Sequence, residues 1–252
     1  MVLRRVVTHL KAQHWTAVAL DFAIVVIGVF IGIQVSNWNN MRQEDQRAVQ
    51  VLTELDQEFV GIDQAARSLA SFYERSLRNE AVLLKSLAAG KVDPADAKAV
   101  SDAVALGLVY GDPPPPSGTY RDLLSSGNLA LVRDKALRIK LIEYDQSIDN
   151  VAKSDTNIQV GLAPFYPAFI GRMTVLPGAD SAIGKTDEYF VDYDFTAVKV
   201  DIAKMFADPA FAVAANQVFL AQQYRLINIR LARSKIAAIR ELIRKDRSAA
   251  TD

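Results

Sequence analysis

WTAVALDFAIVVIGVFIGIQVSNW, residues 15–38, is the stretch on which the fold turns. From Thr16 to Val35 it carries a single formal charge, Asp21, and from Phe22 to Ile33 every residue is apolar or glycine. About twenty helical residues cross the hydrocarbon layer of a bilayer. Trp15 and Trp38 stand at the two ends, where amphipathic rings prefer the headgroup level, and Asn37, Asn39 and Asn40 mark the return to water. A cleaved signal peptide would share the basic start and the apolar core, but no small-x-small site follows Ile33. The expectation is a transmembrane helix, with the lipid bilayer as its first partner.

The flanks orient it. Arg4, Arg5 and Lys11 precede the span, whereas a mixed set, Arg42, Glu44, Asp45 and Arg47, follows it. The positive-inside bias then puts residues 1–14 in the cytoplasm and exports residues 39–252.

On a helix Asp21, Val25, Gly28, Gly32 and Ser36 share one face, and that face is small or polar. Gly28 and Gly32 form a G-x-x-x-G pair, which lets a second helix approach closely, and an aspartate within a span usually faces protein or water. One reading is a helix–helix contact, with a second copy or another membrane protein as partner. The other is that the glycine pair is fortuitous and that Asp21, about 9 Å along from Trp15 at 1.5 Å per residue, reaches the cytoplasmic headgroups. Both stay open on sequence grounds.

Composition excludes whole classes of chemistry. Basic and acidic residues both number 29, so no global field points to nucleic acid. There is no cysteine, and the two histidines, His9 and His14, both precede the span. The exported part therefore has no imidazole or thiolate for a Ser-His-Asp or Cys-His arrangement or for a zinc site. No catalytic residue, cofactor or metal is assigned; a carboxylate enzyme remains conceivable, with Asp122 as its least poor candidate.

Beyond the span the pattern is helical. Leu52, Leu55, Phe59, Ile62, Ala66, Leu69, Tyr73 and Leu77 recur at intervals of three and four, and nothing between Ser36 and Glu44 breaks a helix. The span is expected to run on as a stiff stalk to about Gly90. Asp93-Pro94 opens a helix to about Tyr110, and the run Pro113 to Pro116 reads as a connector. Thr119 with Asp122 suggests a capping box for a helix over 120–125, followed by Gly127 in the left-handed region. Asp134 caps the next helix, lined by Leu137, Leu141, Ile142, Ile148 and Val151. Met173 to Asp194 lacks a helical period and reads as a long loop, pinned by the aromatics of its acidic-aromatic half, Asp187 to Asp194. Asp208-Pro209 opens the last helix, to about Arg247, with Leu220, Tyr224, Ile227, Leu231, Ile239 and Leu242 facing inward and its many arginines paired with acids on neighbours. The fold expected is all-α: one transmembrane helix running into a long stalk and an antiparallel helical bundle.

Two stretches carry a resemblance. Ile24-Val25-Val26-Ile27-Gly28-Val29-Phe30-Ile31-Gly32-Ile33-Gln34-Val35-Ser36-Asn37-Trp38-Asn39, and then Thr119-Tyr120-Arg121-Asp122-Leu123-Leu124-Ser125-Ser126-Gly127-Asn128-Leu129, resemble a family of bacterial single-pass membrane proteins of unknown function. The likeness extends in outline to Leu137–Tyr144 and the Asp208-Pro209 helix, while the acidic-aromatic loop falls outside it. It implies a helical protein of the bacterial inner membrane with a periplasmic domain, an acidic residue ahead of the apolar core matched by Asp21, and no assigned catalytic residue. The expected function is a non-enzymatic scaffold, sensor or accessory subunit whose exported bundle binds a partner. The alternative is a stator-like subunit of an ion-driven complex that uses Asp21 as its protonatable carboxylate.

Overall fold

In the computed structural model, which describes residues 15–175, 183–186, 191–193 and 198–249, the chain is helical almost throughout. It divides into two compact units, Met1–Gln50 and Val51–Asp252. Helix α1 (Trp15–Ala89) is continuous over 75 residues. From Leu20 to Arg47 every one of its side chains is exposed. The helix is long and apolar enough there to cross a membrane, with a mean hydropathy of 1.9 over its most apolar window.

The second unit is the bundle. After α1 come α2 (Ala97–Leu106), α3 (Gly118–Ser125), α4 (Lys135–Leu162), α5 (Tyr166–Ile170), α6 (Ile202–Ala207) and α7 (Pro209–Ala249). Side-chain pairs set the directions of the three long helices. Arg247–Asp56, Arg240–Asp63 and Arg230–Glu74 run α7 antiparallel to α1, and Arg225–Asp155 with Lys235 on the Glu143 carbonyl runs it antiparallel to α4. Phe59 packs edge-on against Tyr144 at 5.3 Å, and Tyr73 lies beside Val151, so α1 and α4 are parallel. The stripe expected on α1 is its core face: Leu55, Phe59 and Ala66 are fully buried, Leu52, Ile62, Leu69 and Tyr73 nearly so, and Leu77 partly. Arg225, Arg230, Arg240 and Arg247 of α7 pair with acids on α1 and α4 as expected, whereas Lys245 pairs with Glu241 of α7 itself.

Helix ends follow local chemistry. Asp93, Asp134 and Asp208 each accept a bond from the backbone N–H two residues on. Gly90 ends α1 at φ +67. At α3 the expected capping box is replaced by a cap two residues earlier. Ser117 Oγ accepts from Tyr120 N and donates to Glu58 Oε2, and Glu58 also accepts from the Gly118 and Thr119 amides. A carboxylate of α1 thus sits on the N-terminus of α3, where the helix dipole favours it. Thr119 and Asp122 fit the local motif, but the tertiary carboxylate outcompetes it.

The C-terminus of α3 is a Schellman turn, with Asn128 N donating to Leu123 O at 2.9 Å, Gly127 N to Leu124 O at 3.3 Å, and Gly127 at φ +72. Nothing crowds the missing Cβ, so Gly127→Ala costs only backbone strain, about 1 kcal/mol. The variant is expected to melt a few degrees lower by circular dichroism; an unchanged melting temperature would sink this account of the turn.

The proline run is a packed connector: Pro114 is buried and the Pro115 carbonyl accepts from Tyr144 Oη at 2.8 Å. The loop expected over 173–194 is corrected in part. Met173–Val175 (β1) pairs antiparallel with Val198–Val200 (β4), and Ile183–Thr186 (β2) with Val191–Tyr193 (β3). Strands of three or four residues are too short to show a period of two. Of the acidic-aromatic segment, Asp187 to Phe190 and Asp194 lie outside the described residues.

Candidate functional site

The bundle has two apolar cores. One gathers Val51 to Tyr73 of α1, Leu137 to Ile148 of α4 and Leu226 to Ile243 of α7. The other gathers Leu83, Val100, Val104, Leu162, Phe169 and Phe211 to Val218. Between them each long helix switches to polar residues: Ser76 and Glu80 on α1, Asp155 on α4, Gln222 and Arg225 on α7. All but Asp155 are buried, and the Asp155 side chain is 13% exposed. The result is a polar belt across the bundle.

Its bonds are largely internal. Arg225 Nε donates to Asp155 Oδ1 at 2.5 Å, Gln159 Nε2 donates to Asp155 Oδ2 at 2.7 Å, and the guanidinium carbon lies 4.7 Å from the centre of the Tyr110 ring. Gln222 Nε2 donates to the carbonyls of Gly107 and Val109, which ties α7 to the end of α2. Tyr73 Oη donates to the Gly111 carbonyl and accepts from its amide. Burial pushes the Tyr73 phenol up to about 12, against the pull of Arg225.

Glu80 is the anomalous member. Burial pushes its carboxyl up to about 8, outweighing the Ser76 hydroxyl bonded to Oε1 at 3.2 Å and the field of Arg225. At neutral pH it is protonated. Glu80 Oε2, Gln222 Oε1 and Arg225 Nη2 are buried with no partner among the described residues. A small cleft at the Arg225 end of the belt is lined by Tyr73, Gly111, Asp155, Arg225 and Asn228, with room for about one water. Among the described residues no three Asp, Glu or His side chains are grouped to hold a metal ion.

A second feature lies on the surface of α7, and it overturns part of the inward stripe. Ile239 is buried and Leu242 partly so, but Leu220, Tyr224, Ile227 and Leu231 are exposed, at 55%, 47%, 49% and 57%. The face that turns inward is Phe211, Ala214, Ala215, Val218, Gln222, Arg225, Leu226 and Ile229. Helix α7 has two apolar stripes, an inner one and, from Val213 to Leu231, an outer one. The inner face was hidden from pattern reading because small alanines and the polar belt residues interrupt it.

The span residues are placed as follows. Asp21, Gly28, Gly32 and Ser36 fall on one face of α1, all exposed, and nothing lies within 4 Å of a Cβ built at either glycine. Trp15 is the first residue of α1. Trp38 is 60% exposed, with the Arg42 guanidinium 5.8 Å from its ring centre. Asp122 of α3 accepts through its backbone carbonyl from Ser125 and Ser126.

Comparison with known proteins finds no matching family model, no matching curated protein and no matching solved structure.

Proposed function

We propose that the chain is a membrane-anchored scaffold or accessory subunit, non-enzymatic, whose bundle binds another protein through the outer face of α7. The anchor is residues 15–38, with the N-terminus in the cytoplasm, the bundle in the periplasm and the bacterial inner membrane as its location. The observation that carries the reading is the exposed α7 stripe. Large apolar side chains left in water on one continuous face are what an interaction surface presents, whereas scattered ones need no explanation. The span motif and the Ser-Ser-Gly-Asn-Leu turn that resemble a single-pass membrane family support the topology. Asp21, Gly28, Gly32 and Ser36 form a second contact face within the membrane, toward a second copy or another membrane protein.

Because the chain has no cysteine, single introduced cysteines report cleanly. In spheroplasts expressing the protein at its native level, a membrane-impermeant maleimide is expected to label Lys153→Cys at once and Thr8→Cys only after lysis. The Ile227→Cys variant is expected to stay protected until detergent strips the partner. Prompt labelling of Thr8→Cys reverses the topology. Equal labelling of Ile227→Cys and Lys153→Cys removes the partner.

A further inference from the structure

The outer stripe of α7 has a register. Val213, Leu220, Tyr224, Ile227 and Leu231 follow at intervals of seven, four, three and four, the spacing of the a and d positions of a heptad. It is a narrow seam, not the broad apolar arc of a helix lying on lipid. Neutral amides flank its first half: Asn216, Gln217 and Gln223 are exposed and Asn228 half-buried.

The charges around the second half have one sign in excess. From Pro209 to Arg240 there is no aspartate or glutamate. On the α1 side Arg230, with its side chain 59% exposed, lies with Arg78 about the single carboxylate of Glu74, which accepts from Arg230 Nη2 at 2.8 Å and is held below the usual carboxylate range by it. On the α4 side Lys235 bonds the backbone carbonyl of Glu143, whose carboxylate is taken by Lys140. Around the second half, then, Arg78, Arg230, Lys140 and Lys235 stand against two carboxylates, Glu74 and Glu143, both already paired.

We infer that the α7 seam docks an amphipathic helix of the partner protein whose apolar stripe is edged by aspartate and glutamate. This rests on the reading that the bundle binds a partner and adds the chemistry of that partner. Knobs from the partner pack around Tyr224 and Ile227, and its carboxylates meet Arg230 and Lys235, with Glu74 already spoken for. A second copy of the chain is a poor occupant, because its own α7 face carries no acid and would bring arginine and lysine against arginine and lysine. Complementary charge at the edges of such a seam selects the partner, and the apolar positions supply the affinity.

The test uses the full chain in phosphatidylcholine nanodiscs and two labelled synthetic peptides of four heptads. Both have leucine at a and d; one has glutamate at e and g, the other lysine. Anisotropy is expected to show the glutamate peptide binding at least about tenfold more tightly than the lysine peptide at low salt, with the difference shrinking as salt rises. Ile227→Glu is expected to abolish binding, and Arg230→Glu to reverse the preference. Both sites are exposed, and circular dichroism checks that each variant folds. Equal binding of the two peptides, or none, overturns the inference. So does chain-to-chain coupling of the Ile227→Cys variant by a bifunctional maleimide, which makes the occupant a second copy, or flotation with phosphatidylglycerol vesicles that Ile227→Glu abolishes, which makes it lipid. If Ile227→Cys stays protected in spheroplasts while the peptides show no charge preference, the acidic helix falls and partner binding stands. If the site is unprotected as well, both fall.

Discussion

Glu80→Gln is expected to stabilise the bundle at neutral pH and to flatten its pH dependence. The folded carboxyl is raised to about 8, while its ordinary value is 4.5. Between those two values the native state holds a proton that the unfolded chain has released, so stability is full below pH 4.5, declines as pH rises, and levels off above about 8. At pH 7 the interval crossed is about 2.5 units, on the order of 3 kcal/mol for a side chain that is 2% exposed. Glutamine keeps the shape and has no proton to lose. In the full chain, that corresponds to a melting temperature higher by roughly 5 to 10 °C at pH 7, with little difference at pH 4.5. Thermal unfolding followed by circular dichroism from pH 4.5 to 9 checks it: the wild-type curve should fall and the variant curve should run flat. Parallel curves would mean that Glu80 is not the proton carrier and that the belt is better hydrated than its burial indicates.

Asp155→Ala is expected to be the most damaging single change in the belt. It leaves the Arg225 guanidinium, 4% exposed and with its Nη2 already unpartnered, facing the Tyr110 ring alone, and it strands the Gln159 amide. Removing one member of a buried ion pair costs roughly 3 to 5 kcal/mol, because the other charge stays desolvated. Removing both is a different matter. Asp155→Ala with Arg225→Met puts a flexible apolar side chain between the two cores and is expected to recover most of the loss. Chemical denaturation of the wild type, the two single variants and the double variant supplies the cycle. A double variant no more stable than Asp155→Ala would show that Arg225 matters through its cation–π contact and packing, not through the pair.

The two predictions ask the same question of the belt. Apolar side chains in those five positions would join the two cores into one; the polar ones give a bundle whose halves are held in register by directional bonds, Gln222 to the end of α2 and Arg225 to α4. Buried polar groups of this kind favour one register of packing over its neighbours, at a cost in stability. The pH series measures that cost, and the cycle measures how much of it one pair returns.

How much of this was legible beforehand varies by element. The period of α1 named its core face correctly from Leu52 to Tyr73, because large aliphatic and aromatic residues stand on one side and charges on the other. The aspartates at 93, 134 and 208 marked helix starts, since a carboxylate two residues ahead of an amide needs nothing distant to cap it. The Ser117 cap was missed because its strength comes from Glu58, 59 residues away in the chain. The phase of α7 from Leu220 to Leu231 was read from large apolar side chains that belong to the outer seam, whereas Ile239 and Leu242 of the same stripe do turn inward. The belt was invisible for the same reason: Glu80, Gln222 and Arg225 look like solvent-facing residues until three helices enclose them.

By itself, then, the sequence determined the helical class, the apolar segment 15–38, the core face of α1 and the helix starts capped by Asp93, Asp134 and Asp208. Each of these depends on residues within a few turns of one another. Only the tertiary structure decided which stripe of α7 is buried, that Glu80 is held neutral, that Arg225 answers Asp155, and that a cationic apolar seam is left outside. Burial and electrostatic partnership are properties of what lies across the bundle, and period alone does not rank two competing stripes on one helix.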